Sequence, residues 1–386
     1  MHDDVFVWTN DEQALLYNAK SFKQISIQKK QFALFRLCYF FEDNTNLYFE
    51  YDTNDEICDS IDFLVDNSMG RISTLGEIDC RIPPIVSINN DWNRNIPEVE
   101  RTKIILNTNV LVNLHTITIY IGGNAPDNKY FLQMPYPLNS YESISFHHLN
   151  SIIHNCLQQC DGDIQFKLVF SDYQDSEILS FAHKLQTYCS KISFIFLLRK
   201  DMNVFEYIQK MGYKVVLIID IQFDNSPLHS LDKQFEYQIL IRNESDLSTF
   251  DRLKKSLYTV YPQFIAENNE VFFKNNIFLN REELTHIQCS KHLIFLHQKL
   301  NINFWGQLFV YPNGDVFSSS ERTFYLGKIT LPLTLLVQRE LIQTNAWQHI
   351  RNNFHCSSCI YQWLCPSPTI IEHIFKRNTI CNLFNN

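Results

Sequence analysis

Apolar and polar positions divide the chain into three stretches with different periodicity. In the first, Val5–Trp8 and Ala14–Phe22 are apolar runs on either side of the polar TNDEQ, a pattern that predicts a β-hairpin. Thr45–Thr53 is strand-like, and the helix predicted after it has its apolar residues on one face, namely Ile57, Ile61, Leu64 and Val65. We therefore expect a small α+β domain over residues 1–90.

The second stretch, residues 103–290, alternates short β-branched runs with helical ones. The predicted strands are Thr116–Ile121, Ile164–Phe170, Ile192–Leu198, Lys214–Asp220, Tyr237–Ile241 and Val271–Asn275. Between the first two, Phe146, Leu149, Ile152, Ile153 and Cys156 recur at helical spacing. This alternation is typical of a parallel sheet, so we predict an α/β fold with a partial (βα)6-type barrel, short of the eight strands of a full barrel.

The third stretch, residues 291–386, changes pattern again. Ile302–Ser320 reads as a β-hairpin with Asn313 and Gly314 at its turn. Tyr325–Ile329 follows as a strand, and a helix is predicted over Leu335–Ile350. A cysteine-rich segment then runs to the end of the chain. The linker between the first two stretches is the Pro-, Asn- and Asp-rich Ile82–Glu98.

Composition excludes several classes of protein. Hydrophobic residues make up 45% of the 386 and charged residues 19%, which is a globular composition. The net charge of -9 argues against nucleic-acid binding, which needs clustered Lys and Arg. The chain has 9 glycines and no glycine-rich phosphate loop. No signal peptide or membrane-spanning window is present, so we expect a cytoplasmic protein, in which clustered cysteines are more often metal ligands than disulfides.

Four of the 11 cysteines occur in the last part of the chain. Their spacing is Cys356-x2-Cys359-x5-Cys365-x15-Cys381, and four thiolates satisfy either tetrahedral Zn²⁺ or a [4Fe–4S] cluster. A zinc finger usually supplies two close pairs, whereas here there is one, and Pro366 directly follows Cys365 as it does at cluster ligands. The spacing favours one [4Fe–4S] cluster, with zinc and reduced structural thiols as the alternatives.

The run from Gly314 to Cys381 resembles a SPASM domain, the C-terminal iron–sulfur module of radical SAM peptide maturases. That module has seven cysteines for two auxiliary clusters. Here its Gly-x4-Cys position holds Ser319, its x3-Cys position after Cys365 holds Thr369, and no cysteine lies 9 to 15 residues before Gly314. The resemblance implies that the four remaining cysteines hold the second auxiliary cluster, in a structural or electron-relaying role.

The motifs of a catalytic radical SAM domain are missing. Its CxxxCxxC should follow the first barrel strand, but no cysteine occurs between that strand and Cys156. Cys156 and Cys160 form a CxxxC, yet its third position is Asp163, and their helical spacing predicts buried structural cysteines. The GGEP-like loop that should follow the second strand is replaced by SDYQDSE. We therefore expect no S-adenosylmethionine site.

The string CSSCIYQWLCPSPTIIE resembles the ending of pseudo-radical-SAM proteins of Bacteroidales that accompany glycine-glycine-leader peptides. The resemblance implies a non-catalytic helper in the maturation of a ribosomally made peptide, with the precursor peptide, a radical SAM maturase, or both as partners. Residues 1–90 would then be a winged-helix-like peptide-recognition domain that binds a leader as an added strand. The alternatives are an enzyme of unidentified class with the cluster as an electron relay, and a zinc-stapled structural protein.

Other candidate residues form no constellation. His147 and His148 are adjacent and point to different sides of a helix, so with His154 they are expected at the surface. Asp172 and Asp220 end predicted strands, where barrel enzymes have catalytic residues, but without a second group we expect them to be helix caps.

Overall fold

The structure is a computed structural model. It describes residues 1–43, 46–47, 55–73, 108–122, 130–131, 143–160, 164–170, 174–198, 203–220, 235–250, 258–265, 268–320, 322–343, 345–374 and 381–384. The predicted strand at residues 45–53 and the linker at residues 82–98 lie outside the described residues, apart from Asn46 and Leu47. Asp172 also lies outside them.

The N-terminal part is a three-stranded antiparallel sheet with two helices. Its elements are β1 (Val5–Thr9), β2 (Gln13–Asn18), β3 (Lys23–Gln28), α1 (Phe32–Asp43) and α2 (Glu56–Asp66). β2 is central and pairs with both neighbours, so the predicted hairpin is confirmed and extended by one strand. Helix α2 begins at Asp55, whose side chain accepts a hydrogen bond from the N–H of Ile57.

The middle of the chain alternates strands and helices as predicted. Its strands are β4 (Thr116–Tyr120), β5 (Tyr130–Phe131), β6 (Gln165–Phe170), β7 (Ile192–Leu197), β8 (Lys214–Ile219), β9 (Glu236–Ile241), β10 (Tyr258–Pro262) and β11 (Phe264–Ile265). Its helices are α3 (Phe146–Gln159), α4 (Asp175–Lys184), α5 (Asn203–Lys210), α6 (Glu244–Phe250) and α7 (Glu270–Asn276). Short 3₁₀ turns lie at Thr108–Asn113 and Gln186–Lys191, and the two-residue strands β5 and β11 pair with each other.

The C-terminal part continues the large sheet and adds helices. Its elements are α8 (Arg281–Thr285), α9 (Lys291–Lys299), β12 (Gln307–Val310), β13 (Asp315–Phe317), β14 (Tyr325–Lys328), α10 (Leu333–Gln343), α11 (Phe354–Ser357), α12 (Ile370–Ile374) and a 3₁₀ turn at Asn382–Phe384. The predicted hairpin is confirmed as β12 and β13. Gly314 in its turn has φ +81°, a conformation that glycine adopts without strain.

The large sheet has the strand order β10-β9-β8-β7-β6-β4-β12-β13-β14. From β10 to β12 every pair is parallel, and β4 to β10 follow one another in chain order, with the two-residue β5 outside this sheet. This confirms a mixed α/β fold with a large parallel sheet. Chain order is also the order of a (βα) barrel, whose closure stays a prediction.

The two faces of this sheet are buried differently. On one face, residues such as Ile119, Leu168 and Phe194 pack against α3, α4 and α5 in the largest hydrophobic core. On the other face, Tyr120, Val169 and their neighbours form a second hydrophobic cluster. Its described members are strand side chains, together with Phe304 and Tyr311 from the segments that flank β12. Alternate residues of each strand therefore serve two separate cores, as expected for a pleated strand.

Two predictions about elements are corrected. Residues 271–275 are not a strand but part of α7, because the N–H of Phe273 donates to the carbonyl of Asn269 and the N–H of Ile277 to that of Phe273, which are the i to i−4 hydrogen bonds of a helix. The sixth long parallel strand is β10. The last long helix ends at Gln343 instead of Ile350, since the N–H of Trp347 bonds the Glu340 carboxylate.

No helix in the described part of the chain is long and apolar enough to cross a membrane. The predicted boundary between the first two domains, residues 90–103, lies outside the described residues. The boundary at 290/291 coincides with the start of α9, where Ser290 caps the helix by accepting from Leu293 N–H. The three-domain division itself stays a prediction.

Candidate metal centre

The cysteine segment, His355–Cys381, brings its first three cysteines close together by short helical turns. Cys356 lies in α11, and its N–H donates to the side chain of Asn353, which caps that helix. The N–H of Cys359 donates to the carbonyl of Cys356, and the N–H of Cys365 to that of Tyr361. Two consecutive turns therefore place three thiols on one side of the segment.

Cys381 reaches the same region from the end of the chain. It forms a parallel bridge with Leu279, and the next residue donates its N–H to the Leu279 carbonyl over 2.9 Å. The Asn382 side chain also donates to the carbonyl of Lys274. Contacts with α7 and with the segment after it thus fix the position of Cys381, which is 16 residues beyond Cys365.

The four thiols form one electrostatic group, here named the four-thiol centre. A charge on any of them would act on the other three, since all six pairs interact. As the side chains stand, no set of three or more His, Cys, Asp or Glu residues in the described part of the chain could hold a single metal ion. A tetrahedral zinc site would need sulfur atoms about 3.8 Å apart, from Zn–S bonds of about 2.3 Å. A four-iron cluster is larger and takes its ligands from farther apart.

Burial raises the pKa of three of these thiols, those of Cys359, Cys365 and Cys381. It raises the pKa of Cys359 to about 11 and that of Cys365 further, with the neighbouring cysteines adding to the effect. The pKa of Cys381 is raised for the same reasons. Without a metal, Cys359, Cys365 and Cys381 are therefore neutral thiols near pH 7, and metal binding must release their protons.

Two backbone N–H groups point at sulfur atoms. The N–H of Leu383 lies 3.4 Å from Cys381 Sγ, and the N–H of Tyr361 bonds Cys359. Donors of this kind stabilise thiolates over thiols. Together with the four-sulfur donor set, they fit a thiolate-ligated iron–sulfur cluster, which would be held by Cys356, Cys359, Cys365 and Cys381. That ligand assignment stays a prediction.

Arg351 supplies a buried positive charge beside the thiols. It forms an ion pair with Glu372 over 2.6 Å, and both side chains are almost fully buried. Its Nε donates to the carbonyl of Pro366, next to Cys365. Burial lowers the pKa of Arg351, but the charge of Glu372, together with that of Cys365 once it is a thiolate, outweighs burial and raises the pKa above its ordinary value. The sequence analysis missed Arg351, although its position five residues before Cys356 was a usable signal.

Residues in α9 and in the turn after it form hydrogen bonds with the loop around Cys365. Asn301 and Asn303 donate side-chain hydrogen bonds to the carbonyls of Ser367 and Pro368. His297 Nδ1 lies 3.0 Å from the carbonyl of Trp363. Because a carbonyl can only accept, Nδ1 carries the proton of this ring. These hydrogen bonds connect α9 and the turn after it to the Cys365 loop.

The N-terminal sheet packs directly against the cysteine segment. Phe6, Trp8, Leu15 and Tyr17 share one hydrophobic core with Ile360, Tyr361, Leu364 and Cys365. Asn10 donates to the carbonyl of Ser358, inside the CxxC turn, over 3.0 Å. Tyr17 exchanges hydrogen bonds with the backbone of Cys289. The first residues of the chain thus complete the surroundings of its last cysteines.

Of the other cysteine pair, Cys156 is buried in its helix as predicted, whereas Cys160 is half-buried. Cys156 is on the buried face of α3 in the largest core, and Cys160 caps that helix at its C-terminal end. Burial, and then the neighbouring Cys160, raise the pKa of Cys156 to about 12. The described residues after β4 contain no cysteine before this helix. His147 and His148 are exposed, as expected, whereas His154 is half-buried.

Asp220 takes part in a buried ion pair, which the expectation of a helix cap did not include. Its carboxylate accepts two hydrogen bonds from the Arg242 guanidinium, over 2.6 and 2.7 Å, and both side chains are buried. Asp220 follows β8 and Arg242 follows β9, so the pair lies at the carboxyl ends of adjacent parallel strands. Gln263 follows β10 at the same edge.

Comparisons with known proteins give structural matches alone. No protein-family model matches the chain, and no curated protein matches it. Crystal structures of SuiB from Streptococcus suis are similar, one bound to the precursor peptide SuiA (TM-score 0.42, 10% identity, 99% of each chain covered) and one bound to S-adenosylmethionine (TM-score 0.41, 10% identity, 99% of this chain and 100% of that one). At TM-scores this low, the likeness carries no statement about the fold or activity of this chain.

Proposed function

We propose that this chain is a non-catalytic iron–sulfur pseudo-enzyme that assists the maturation of a ribosomally synthesised peptide. It would bind the precursor peptide, an active radical SAM maturase, or both. The resemblance of its ending to the Bacteroidales proteins points to precursors with a glycine-glycine leader. The observation that carries the proposal is the packing of the N-terminal sheet on the four-thiol centre, which joins a candidate peptide-binding unit to the candidate cluster.

The outer strand β3 is the proposed peptide-binding edge. It pairs with β2 on one side, and among the described residues no strand pairs with its other side. An extended peptide can add to such an edge through main-chain hydrogen bonds. In this way the sheet would bind a leader of little fixed sequence.

Exposed aromatic side chains of the N-terminal part support a docking role. Phe22 precedes β3, and Phe32, Tyr39 and Phe40 lie along α1, with Phe32 66% exposed. Phe63 on α2 is exposed as well. Large apolar side chains grouped on one small unit are typical of protein-interaction surfaces. A bound leader would cover part of this surface.

The non-catalytic part of the proposal rests on sequence. The first parallel strand, β4, is followed by no CxxxCxxC, and the one CxxxC in the chain starts in the buried core of α3. A cluster whose four irons all have cysteine ligands keeps no open position for S-adenosylmethionine. We therefore assign the cluster a structural or electron-relaying role.

Co-expression tests the partner assignment. The tagged chain is produced anaerobically with the genes encoded beside it, and the captured proteins are identified by mass spectrometry. We expect a leader-bearing precursor peptide, a radical SAM maturase, or both at stoichiometric amounts. Recovery of the chain without either would contradict the partner assignment.

Incubation with S-adenosylmethionine tests the pseudo-enzyme assignment. With dithionite as the reductant, the isolated chain is expected to leave S-adenosylmethionine intact. Formation of 5′-deoxyadenosine would overturn the assignment.

A second candidate is an enzyme of unidentified class that uses the α/β region, with the cluster as an electron relay. The buried Asp220–Arg242 pair favours it, since ligands of parallel α/β sheets bind at the carboxyl ends of the strands. Product formed by the isolated chain without a maturase would support this candidate. A zinc-stapled structural protein is the third, and metal analysis separates it.

A further inference from the structure

The N-terminal sheet buries two different faces, and adjacent residues of β2 serve one each. Leu15 belongs to the core shared with the cysteine segment, whereas Leu16 belongs to a core shared with α1 and α2. Both leucines are fully buried. One face of the sheet is therefore buried by the cysteine segment, and the other face is buried by helices of the N-terminal part itself.

The face that contains Leu15 is aromatic and closely packed. Phe6 stacks on Trp8 with ring centroids 5.5 Å apart, and its other contact is Phe295 of α9, at 5.7 Å. The same core takes in Leu364 and Cys365. Any rearrangement of the Cys365 loop thus changes the surface on which this face is packed.

Polar contacts connect the same two regions. The Asn10 side chain has two roles, since its Nδ2 donates to Ser358 in the CxxC turn and its Oδ1 accepts from the N–H groups of Glu12 and Gln13. On β3, the Gln24 side chain donates to the carbonyl of Leu284. The turn between β1 and β2 is therefore hydrogen-bonded to the main chain between Cys356 and Cys359, two candidate ligands of the cluster.

The β3 edge is one strand away from these contacts. β2 and β3 are paired over six residues, from Gln13 opposite Gln28 to Asn18 opposite Lys23. A displacement of β2 away from the cysteine segment would move β3 with it. The geometry therefore connects the four-thiol centre to the proposed peptide-binding edge through one shared core and one strand ladder.

We infer that loading of the four-thiol centre and peptide binding at β3 are thermodynamically linked, an inference that rests on the proposed function. The loaded centre fixes the Cys365 loop and the CxxC turn, and these hold the β1–β2 face in place. By reciprocity, a bound peptide must strengthen metal binding by the same equilibrium factor by which the metal strengthens peptide binding. The expected factor is about 5-fold to 150-fold, the usual range for coupled sites.

Hydrogen exchange tests the structural half of this inference without a peptide. Amide exchange of β1 and β2 is compared between protein reconstituted with iron and sulfide and protein stripped by a chelator. We expect at least about fivefold faster exchange in both strands after stripping, with β8 and β9 unchanged as an internal reference. If the amides of β1 and β2 exchange as slowly in the stripped protein as in the reconstituted protein, the linkage is overturned.

Peptide titration tests the other half and separates it from the proposed function. The probe is a synthetic leader peptide from the precursor encoded beside the gene, and its affinity is measured for loaded and stripped protein. Weaker binding to stripped protein supports the linkage, and equal binding overturns it. Absence of binding in both states overturns the proposed peptide role instead.

Two matched pairs of variants locate the coupling. Leu15→Ala is expected to speed iron loss to a chelator by at least about fivefold relative to Leu16→Ala, because Leu15 alone packs on the cysteine segment. Equal iron loss from both would overturn the inference.

The milder pair covers the case in which Leu15→Ala does not fold. Asn10→Asp removes the donor to Ser358 and keeps the acceptor for Glu12 and Gln13. Asn18→Asp is its control, since Asn18 donates to Ser68 within the N-terminal part and accepts from Lys20 and Ser21 in the same manner. Faster iron loss is expected for Asn10→Asp alone, and equal rates for the two would contradict the linkage.

Discussion

The α/β region and the cysteine segment both contain a closely spaced cysteine pair, and they use it differently. Cys156 and Cys160 lie at the end of α3, in or beside the largest hydrophobic core. Cys356 and Cys359 share their surroundings with two further thiols and with Arg351. Burial raises the thiol pKa in both places, to about 12 at Cys156 and about 11 at Cys359.

Burial therefore does not distinguish a structural cysteine from a candidate ligand in this protein. What differs is what surrounds each pair: two further thiols, N–H donors and a buried cation around Cys356 and Cys359, and apolar side chains around Cys156 and Cys160. Four thiolates concentrate negative charge, and the buried positive charge of Arg351 would stabilise them. Among the described residues beside Cys156 there is no comparable concentration of charge for a cation to stabilise. The comparison predicts that changes in the two regions have separable effects.

The largest expected effect is the loss of metal from the cysteine segment. Cys365→Ser should abolish the broad absorbance near 400 nm expected of a [4Fe–4S] cluster, because one of its four thiolates is removed. Cys160→Ser is the matched control, since it changes a half-buried cysteine of the α/β region, and it should leave iron content unchanged. Equal iron loss in both variants would remove the distinction between the regions.

The next effect concerns the two buried arginines. Arg351→Gln leaves Glu372 as a buried charge without its cation, and Arg242→Gln does the same to Asp220. Breaking a buried ion pair in this way costs about 3–5 kcal/mol in the free energy of unfolding. Denaturant titration should show similar losses for both variants.

Iron content should separate these arginine variants. Only Arg351→Gln also removes the positive charge next to the four thiols, so it alone should lower the iron retained per folded chain. Normal iron in Arg351→Gln would contradict the role assigned to this side chain.

A smaller, pH-dependent effect is expected at Glu340, in the same C-terminal part but outside the four-thiol centre. Burial raises the pKa of Glu340 from 4.5 to about 7 against the hydrogen bonds of Ser318 and Trp347, which lower it. The folded state thus holds this proton more tightly than the unfolded state. That stabilisation is complete below about pH 4.5 and is lost as the pH rises through 7.

Glu340→Gln removes this titration. Relative to the natural chain, the variant should gain up to about 3 kcal/mol of unfolding free energy between about pH 4.5 and pH 8, the equivalent of the pKa shift. Thermal or denaturant unfolding at the two pH values measures it, and iron content should stay constant. A stability difference that does not change with pH would show that Glu340 is ionised in the fold.

Local sequence patterns predicted much of the α/β region. The β-branched runs at β4, β6, β7, β8 and β9 each fall within one residue of the observed strand. Burial on both faces of a parallel sheet selects such residues, so the pattern and its cause are local. The turn at Asn313 and Gly314 was also predicted from a local cause, since Gly314 has φ +81°, a conformation that favours glycine.

Elements whose apolar residues lack a clear period were missed or mistaken. The apolar content of Phe32–Asp43 hid the helix α1, and the β-branched Val271 led to a strand where α7 lies. In contrast, the alternation of Ile25 and Ile27 in β3 was a usable signal that the sequence analysis did not use.

The surroundings of the candidate centre could be predicted only in part. Spacing identified the four cysteines, because short turns bring Cys356, Cys359 and Cys365 together. Contacts such as Asn10 with Ser358 join residues 348 positions apart, and no local pattern encodes them. Packing of the N-terminal sheet on the cysteine segment is decided by tertiary fit and is visible only in the structure.

The most direct test of the account is the metal and sulfide content of the anaerobically purified natural chain. The account predicts about four iron and four sulfide per chain, held by the four cysteines of the C-terminal segment. Stoichiometric zinc without iron, or a folded chain with no metal at all, would contradict it.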